Sequence, residues 1–184
     1  MKSLAEALTD QELFETLYSE TRMSILGYLL RRVSIPTDAA DLLSDTYLVA
    51  WRRIGDVPEG ESGLLWLYGV ARHLVANYYR HERSEHALAL TLRHALAANA
   101  SAFEREHDAP FAEDIARSLE ALSPGDREII ELSAWEQLTP AEIAEVLGIK
   151  AGTLRVRLHR ARLAIAEELA KAGHPGPDRL EIAE

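Results

Sequence analysis

Residues 139–162 have the pattern of two short helices joined by a glycine-centred turn. Thr139 is a favourable N-cap residue, Pro140 suits a first helical turn, and Glu142 stands where its side chain can return a hydrogen bond to the cap. Gly148 follows the first helix, at a position where the backbone often needs a positive φ angle. The pattern predicts a helix-turn-helix, which requires a small helical domain around it.

The second helix of this motif contains four arginines and has two distinct faces. With about 100° between successive residues, one face is apolar and comprises Leu154, Leu158, Ala161 and Ile165. The roughly opposite face comprises Thr153, Val156, Arg157 and Arg160. We expect the first face to pack against the domain and the second to be free to contact DNA.

A formal net charge of −10 argues against a nucleic-acid partner, since Lys and Arg supply most non-specific affinity for phosphates. The charge is unevenly distributed, however. Residues 120–145 hold seven acids and one arginine, whereas residues 150–171 hold six bases and two acids. We expect weak DNA binding by the isolated chain, because its acidic remainder repels DNA, and a partner that supplies the missing affinity.

The composition excludes several kinds of site. The 184 residues include no cysteine, which excludes disulfides, zinc sites built on thiolates and a cysteine nucleophile. No run approaches the roughly 18 to 20 apolar residues of a membrane span, and the N-terminus lacks a signal-peptide pattern. We expect a cytoplasmic protein that is not an enzyme, is not inserted in a membrane and uses no cofactor or metal.

Helical periodicity dominates the sequence and no alternating strand pattern is present, so the predicted fold is all-α. We expect two small helical domains at residues 1–82 and 112–172, joined by a flexible linker at 83–111 and followed by a loose tail at 173–184. The predicted helices of the first domain cover residues 13–33, 38–54 and 64–80. Those of the second domain cover residues 112–122, 124–135, 140–147 and 151–172, and the linker has room for a short helix at 88–98.

The predicted helix at residues 38–54 combines carboxylates with apolar side chains on its outward face. Its buried stripe is expected to comprise Leu43, Tyr47, Ala50, Trp51 and Ile54. The far side comprises Asp38, Asp41, Leu42, Asp45 and Val49. Carboxylates alone are typical of a solvated face, but apolar residues interleaved with them favour a protein-docking surface.

The predicted helix at residues 64–80 has an outward stripe of aromatic, polar and basic residues. Its inward residues are Leu67, Ala71, Leu74, Val75 and Tyr78. The outward stripe is Trp66, His73, Asn77 and Arg80, with Arg72 and Tyr79 to one side. Such side chains suit unpaired DNA, and the breaker-rich loop at 55–63 could form a pocket for an extruded base. Trp66 and Tyr68 fit a role in packing equally well.

Three stretches together resemble the extracytoplasmic-function sigma factors, the two-domain members of the bacterial sigma-70 family. The region 2 helix that docks on RNA polymerase is similar to residues 38–53, DAADLLSDTYLVAWRR. The promoter-melting helix is similar to residues 66–80, WLYGVARHLVANYYR, and region 4 is similar to residues 122–165. The linker is too short for the domain that larger sigma factors carry between these regions. The resemblance implies a region 2-like helical bundle and a region 4-like helix-turn-helix domain.

The resemblance also implies that the chain binds core RNA polymerase and directs it to promoters. Contacts with the clamp helices of the largest polymerase subunit would involve Asp38, Asp41, Leu42, Asp45 and Val49. Capture of the unpaired minus-ten strand would involve the loop at 55–63 with Trp66, Arg72, His73, Asn77 and Arg80. Recognition of the minus-thirty-five duplex would involve Lys150, Thr153, Arg155, Val156, Arg157 and Arg160.

Further partners follow from the same resemblance. They are promoter DNA, the flap of the second-largest polymerase subunit, and an anti-sigma factor that keeps the chain inactive and can hold it at the membrane. His73 departs from the family, which commonly has asparagine there, so the identity of the captured base stays open.

Two other classes fit parts of the sequence. A dimeric helix-turn-helix regulator would bind a palindrome without polymerase, but residues 12–82 show no ligand-pocket or phosphoacceptor signature. A helical metalloenzyme would need histidines on one face, yet His81 and His86 are five residues, or about 140°, apart. Glu104 and His107 have the spacing of a di-iron pair, but a second such pair is missing. Solvated linker residues explain these groups better.

Overall fold

The computed structural model describes the backbone of residues 4–93 and 110–174 and the side chains of residues 9–81 and 114–174. The regular elements within these ranges are helices, which confirms the all-α prediction. They are α1 (Leu4–Arg32), α2 (Pro36–Arg52), a 3₁₀ turn (Ile54–Asp56), α3 (Glu61–Arg93), α4 (Pro110–Glu120), α5 (Pro124–Ala134), α6 (Pro140–Leu147) and α7 (Ala151–Lys171). The chain divides into two compact units, Met1–Ser101 and Ala102–Glu184.

Helix boundaries agree with the sequence patterns within two residues in the second unit and at α2, and they differ at the start of α1 and at the end of α3. Helix α6 spans the predicted residues, and α4, α5 and α7 end within two residues of prediction. Helix α3 continues to Arg93, so the prediction that it ends at Arg80 is wrong. Residues 81–93 are rich in alanine, leucine and charged residues, which are good helix formers whatever their polarity. The rest of the predicted linker and the tail beyond His174 lie outside the described residues.

Helices α1, α2 and α3 pack against one another and form the first unit. Its centre consists of Ile25, Leu29, Leu67 and Ala71, each with no exposed surface, and of Tyr28. The Tyr28 ring lies 5.3 Å from the ring of Tyr68, measured between centroids. Tyr68 is buried as well, so its role is packing.

In the second unit, α7 packs against α4, α5 and α6. Leu154, Leu158 and Ala161 are buried, which confirms their assignment to the packing face of α7, and Ile165 is half-buried. They meet a small core from the other helices, made of Ile129, Leu132 and Ile143.

The turn between α6 and α7 has the predicted local structure. Thr139 N donates to Glu142 Oε2 at 2.6 Å and Glu142 N donates to Thr139 Oγ1 at 3.4 Å, which completes a capping box. The Thr139 hydrogen bonds hold the pKa of the Glu142 carboxyl below its ordinary value. Gly148 ends α6 with φ of 65°, a left-handed conformation that favours glycine.

Candidate nucleic-acid interface

The outward face of α7 is basic and exposed. Five of the residues predicted for the minus-thirty-five element are exposed at α7 or immediately before it: Lys150, Thr153, Arg155, Val156 and Arg160. Val156 is 50% exposed and adds an apolar group to this basic surface. His159 is also exposed and lies three residues after Val156, on the same side of the helix. Sequence reasoning missed His159, although its position beside Arg160 could have indicated it.

Arg157 differs from the other predicted DNA-contacting residues. Its side chain is half-buried, and its Nε lies 2.8 Å from Oδ1 of Asp126 on α5. The prediction that Arg157 is free on the outward face is therefore wrong. Its position, about 60° around the helix from Leu154, places it at the edge of the packing face.

The outward stripe of α3 brings together most of the residues predicted for the minus-ten element. Arg80 Nη1 donates to Asn77 Oδ1 at 2.9 Å, and His73 is exposed. His73 Nδ1 lies 2.7 Å from Gly69 O. Because a carbonyl oxygen can only accept, Nδ1 carries the proton, and Nε2 can accept a hydrogen bond while the ring is neutral.

Trp66 and Arg72 are less accessible than this stripe. Trp66 is half-buried, and Arg53 Cζ lies 5.6 Å from its ring centroid. Arg53 Nε also lies 3.0 Å from Asp56 Oδ2, so Arg53 contacts both the indole and the 3₁₀ turn. Arg72 is half-buried at the side of α3.

The loop before α3 is shorter than predicted. Residues 61–63 belong to α3, and the 3₁₀ turn occupies residues 54–56, which leaves 57–60 as the irregular segment. Gly63 is buried, and a Cβ there would lie 2.9 Å from Pro58 O. Only a residue without a side chain lets the loop close so tightly on α3.

A pocket of about 400 Å³ lies between this loop and α1. Its walls are mainly apolar, with two carboxylates at Glu20 and Glu59. The lining residues are Leu13, Thr16, Leu17, Glu20, Ile54, Gly55, Val57, Pro58, Glu59 and Gly60. The pocket is open to solvent on one side.

The exposed surface of α2 differs from the predicted one. Asp41 and Asp45 are exposed as expected, but Leu42 is only 7% exposed, so the prediction that it contributes to a docking surface is wrong. Leu48 and Trp51 are 44% and 46% exposed instead. The apolar surface of α2 is therefore made by Leu48 and Trp51, not by Leu42.

Two further residues of the predicted α2 surface are partly withdrawn from solvent. Val49 is half-buried. Asp38 is also half-buried, and its Oδ2 accepts a hydrogen bond from Tyr78 Oη at 2.7 Å. Asp38 thus joins α2 to α3 within the first unit.

Trp51 belongs to an aromatic cluster that α1 and α2 form together. The ring centroids of Phe14 and Trp51 are 5.2 Å apart, and those of Tyr18 and Tyr47 are 4.8 Å apart. Tyr47 Oη lies 2.7 Å from Thr21 Oγ1 in a buried hydrogen bond. Burial raises the pKa of the Tyr47 phenol above its ordinary value. The contribution of α1 was missed because its rings are far from α2 in sequence.

Comparison with known proteins identifies the family of this chain. The family model Sigma-70 region 2 matches residues 17–85, and the model Sigma-70, region 4 matches residues 112–165. RNA polymerase sigma factor CarQ of Myxococcus xanthus is 31% identical over 161 residues, which cover 88% of this chain and 91% of CarQ. The chain belongs to the extracytoplasmic-function group of the sigma-70 family. It is an RNA polymerase sigma factor.

Other sigma factors are similar over most of their length. ECF RNA polymerase sigma factor SigL of Mycobacterium tuberculosis is 29% identical over 170 residues, 91% of this chain and 94% of SigL. The fold is that of the sigma factor RpoE solved in complex with the anti-sigma factor NepR from Bartonella quintana. That structure has a TM-score of 0.60 and 21% identity, and the match covers 85% of this chain and 96% of that one.

Neither a membrane span nor a metal cluster is found in the described parts of this sigma factor. No helix there is both long and apolar enough to cross a bilayer. No group of three or more His, Asp or Glu side chains among the same residues could hold a metal ion. Of the histidines and glutamates weighed for a metalloenzyme, His81 is exposed, and His86, Glu104 and His107 lie outside the described side chains.

Proposed function

We propose that this sigma factor recognises the minus-thirty-five element as duplex DNA through the outward face of α7. The observation that carries the proposal is the exposed set of basic side chains around Val156, on a helix whose opposite face packs into the second unit. An arginine paired with a guanine edge contributes about 1–3 kcal/mol of discrimination, and contacts with phosphates set the register. Arg155 and Arg160 are the residues placed to provide such contacts.

The first unit would capture the unpaired non-template strand of the minus-ten element. Asn77, Arg80 and His73 would line its path along α3, and the pocket beside the 57–60 loop would take one extruded base. Glu20 and Glu59 at this pocket accept hydrogen bonds, so we expect a base with an exocyclic amino group. Stacking contributes about 1–3 kcal/mol per base, which offsets lost base pairing without ATP.

The polymerase would supply the affinity that an acidic chain lacks. Asp41, Asp45, Leu48 and Trp51 form an exposed surface of acids and apolar groups on α2, suited to the clamp helices of the largest subunit. With both units attached to polymerase, two weak DNA contacts act as one stronger contact through high effective concentration. The flap of the second-largest subunit is the second docking site that the family implies.

An anti-sigma protein would provide the inactive state. RpoE of Bartonella quintana was solved with the anti-sigma factor NepR, and CnrH was solved with the cytosolic domain of CnrY. We infer a comparable inhibitor for this chain, which would act in the cytoplasm or hold the chain at the membrane.

A transcription assay tests the proposed function. Purified chain, core RNA polymerase and a library of promoter fragments should yield run-off transcripts from a defined subset of fragments. If the core enzyme gains no promoter selectivity, the proposal fails. Tight binding of a palindromic operator by a dimer without polymerase would favour a regulator of the helix-turn-helix class instead.

Substitution of the α2 surface tests the docking step. The double variant Asp45→Ala, Leu48→Ala should lose co-elution with core polymerase while its helical circular dichroism stays unchanged. Met23→Ala is the matched control, because Met23 is 67% exposed on α1 and its removal should leave polymerase binding intact. Unchanged co-elution of the double variant would place the docking surface elsewhere, and an equal loss in both variants would show that the loss is not specific to the α2 surface.

A further inference from the structure

The start of α5 and the middle of α7 are joined by a carboxylate that accepts hydrogen bonds on both oxygens. Asp126 Oδ2 accepts from Ser123 Oγ at 2.6 Å, and Asp126 Oδ1 accepts from Arg157 Nε at 2.8 Å. Ser123 is the N-cap of α5, and its Oγ accepts from Asp126 N at 3.2 Å. The carboxylate is thus fixed to its own helix, and the guanidinium is fixed to the carboxylate.

Gly125 leaves the space that the guanidinium occupies. A Cβ at this position would lie 2.6 Å from Arg157 Nη2, so any other residue would displace the guanidinium. The hydrogen bond from Ser123 and then the contact with Arg157 hold the pKa of Asp126 below its ordinary value, despite partial burial. Asp126 is therefore charged at neutral pH, and the contact is an ion pair.

The ion pair lies at the edge of the apolar packing face of α7. Leu154, Leu158 and Ala161 attach α7 to the unit by burying apolar surface, and this driving force has no preferred direction. A charge-assisted hydrogen bond at the edge of this face has a preferred direction and opposes such rotation. A weaker contact, Arg162 Nη2 to Ser133 Oγ at 3.4 Å, lies further along the same two helices.

We infer that Arg157 is a positioning residue, whose ion pair with Asp126 sets the rotation of α7 and so aims the outward side chains at the bases. The inference rests on the proposed recognition of the minus-thirty-five element by α7. Arg155, Val156 and Arg160 contact DNA, whereas Arg157 acts through them. A rotation of the helix moves all three together, so loss of the ion pair lowers discrimination at every base position that α7 contacts.

The test compares Arg157→Ala, Asp126→Asn and the double variant, each as full-length chain bound to core polymerase. The promoter is one selected by the wild-type protein, together with fragments that carry single substitutions across the minus-thirty-five element. Discrimination should fall about fivefold or more, the equivalent of one well-aligned base contact, and it should fall at several positions in both single variants. The double variant should be no worse than either, because both remove the same interaction.

Glu145→Gln provides the control for charge. It removes one negative charge from the same unit at an exposed site on α6, and it should leave discrimination unchanged. Helical circular dichroism of each variant establishes that the unit remains folded.

Three outcomes would overturn the inference. If Arg157 contacts a base directly, Arg157→Ala loses discrimination at one position, and Asp126→Asn raises affinity by releasing the guanidinium. If the pair only stabilises the unit, binding to matched and mismatched promoters falls by the same factor in each variant. Unchanged discrimination in both variants would mean that the pair has no part in recognition. Should wild-type protein select promoters while the variants give any of these results, the inference fails and the proposed function stands.

Discussion

Within each unit of this sigma factor, the helices are held together by a different set of interactions. In the first, long helices bury tyrosines and aliphatic side chains, and a buried hydrogen bond between neutral groups, Thr21 to Tyr47, joins α1 to α2. In the second, contacts of charged groups also join the helices, such as the contact of Asp126 near the start of α5 with Arg157 of α7. A contact of 3.0 Å between His174 Nε2 and Asp114 Oδ2 joins the segment after α7 to α4.

The difference follows from the size of each core and suits the two functions. A small unit buries little apolar surface, so directional polar contacts decide how its helices are oriented. For a helix that we propose to recognise bases, orientation matters most. The first unit instead presents a surface of rings and a pocket, whose shape depends on close packing of the residues beneath.

Truncation of a core leucine in each unit is expected to have the largest effect. Leu67 and Leu154 are both fully buried, so Leu67→Ala and Leu154→Ala should each cost about 2–5 kcal/mol of unfolding free energy. Leu154→Ala should unfold the second unit and leave the first folded, because the smaller core has less stability to lose. Urea titration followed by NMR resonances of each unit measures both effects. Joint unfolding of the two units in either variant would contradict their independence.

Substitution of two glycines sharpens the comparison. In the first unit, a Cβ at Gly63 would meet the backbone at Pro58 O, so Gly63→Ala should cost about 1–3 kcal/mol and widen the pocket. In the second, a Cβ at Gly125 meets the end of the Arg157 side chain, which can move aside. Gly125→Ala should leave stability nearly unchanged but weaken promoter discrimination.

The control for stability is Gly55→Ala, because no atom lies within 4 Å of a Cβ placed there. Gly55 lines the proposed base pocket, so this variant is not a control for discrimination. Thermal unfolding by circular dichroism, with the transcription assay, separates stability from discrimination. An equal loss of stability in Gly63→Ala and Gly125→Ala would show that the second unit is packed as rigidly as the first.

Local patterns were sufficient to predict most of the fold and part of the interface. The capping box at Thr139 and the positive φ at Gly148 depend on residues within one turn, so the sequence predicts the helix-turn-helix closely. The apolar face of α7 follows from helical spacing for the same reason. The exposed face of α2 was misplaced because Leu42 and Leu48 are equally apolar, and only the packing of α1 and α3 decides which is covered.

Contacts between distant residues could not be predicted in this way. Asp126 and Arg157 are 31 residues apart, and their pairing depends on how α5 crosses α7. An arginine on a basic helix face is expected to contact DNA. The sequence around Arg157 therefore gives no sign that it pairs with an acidic residue of the same unit. Gly125 carried such a sign. Glycine lowers helix propensity, so a glycine in a helical turn can indicate that another group occupies the space of its missing side chain.

The smallest expected effects are those of pH on stability. Acid should weaken mainly the second unit, and alkali mainly the first. In the second unit, hydrogen bonds lower the pKa of Asp114 (from His174), Asp126 (from Ser123, then Arg157) and Glu142 (from Thr139). A carboxyl whose pKa is lowered by folding stabilises the fold above its unfolded pKa, about 4, and this contribution is lost as the pH falls through the folded value.

Alkaline pH should instead weaken the first unit. Burial raises the pKa of Tyr47, so the neutral phenol stabilises the fold below about pH 10, and the contribution is lost as the pH rises through the folded value. Lys171, whose pKa is raised by Glu168, adds an alkaline loss to the second unit, but this pair is on the surface and screened. NMR resonances of each unit give its urea midpoint, which is measured from acid to alkaline pH. In acid the midpoint of the second unit should fall first, and in alkali that of the first unit should fall first. Asp126→Asn should make stability less dependent on pH in acid, and Tyr47→Phe should do so in alkali. Loss of both units at the same end of the pH range would show that these groups do not act on the two units separately.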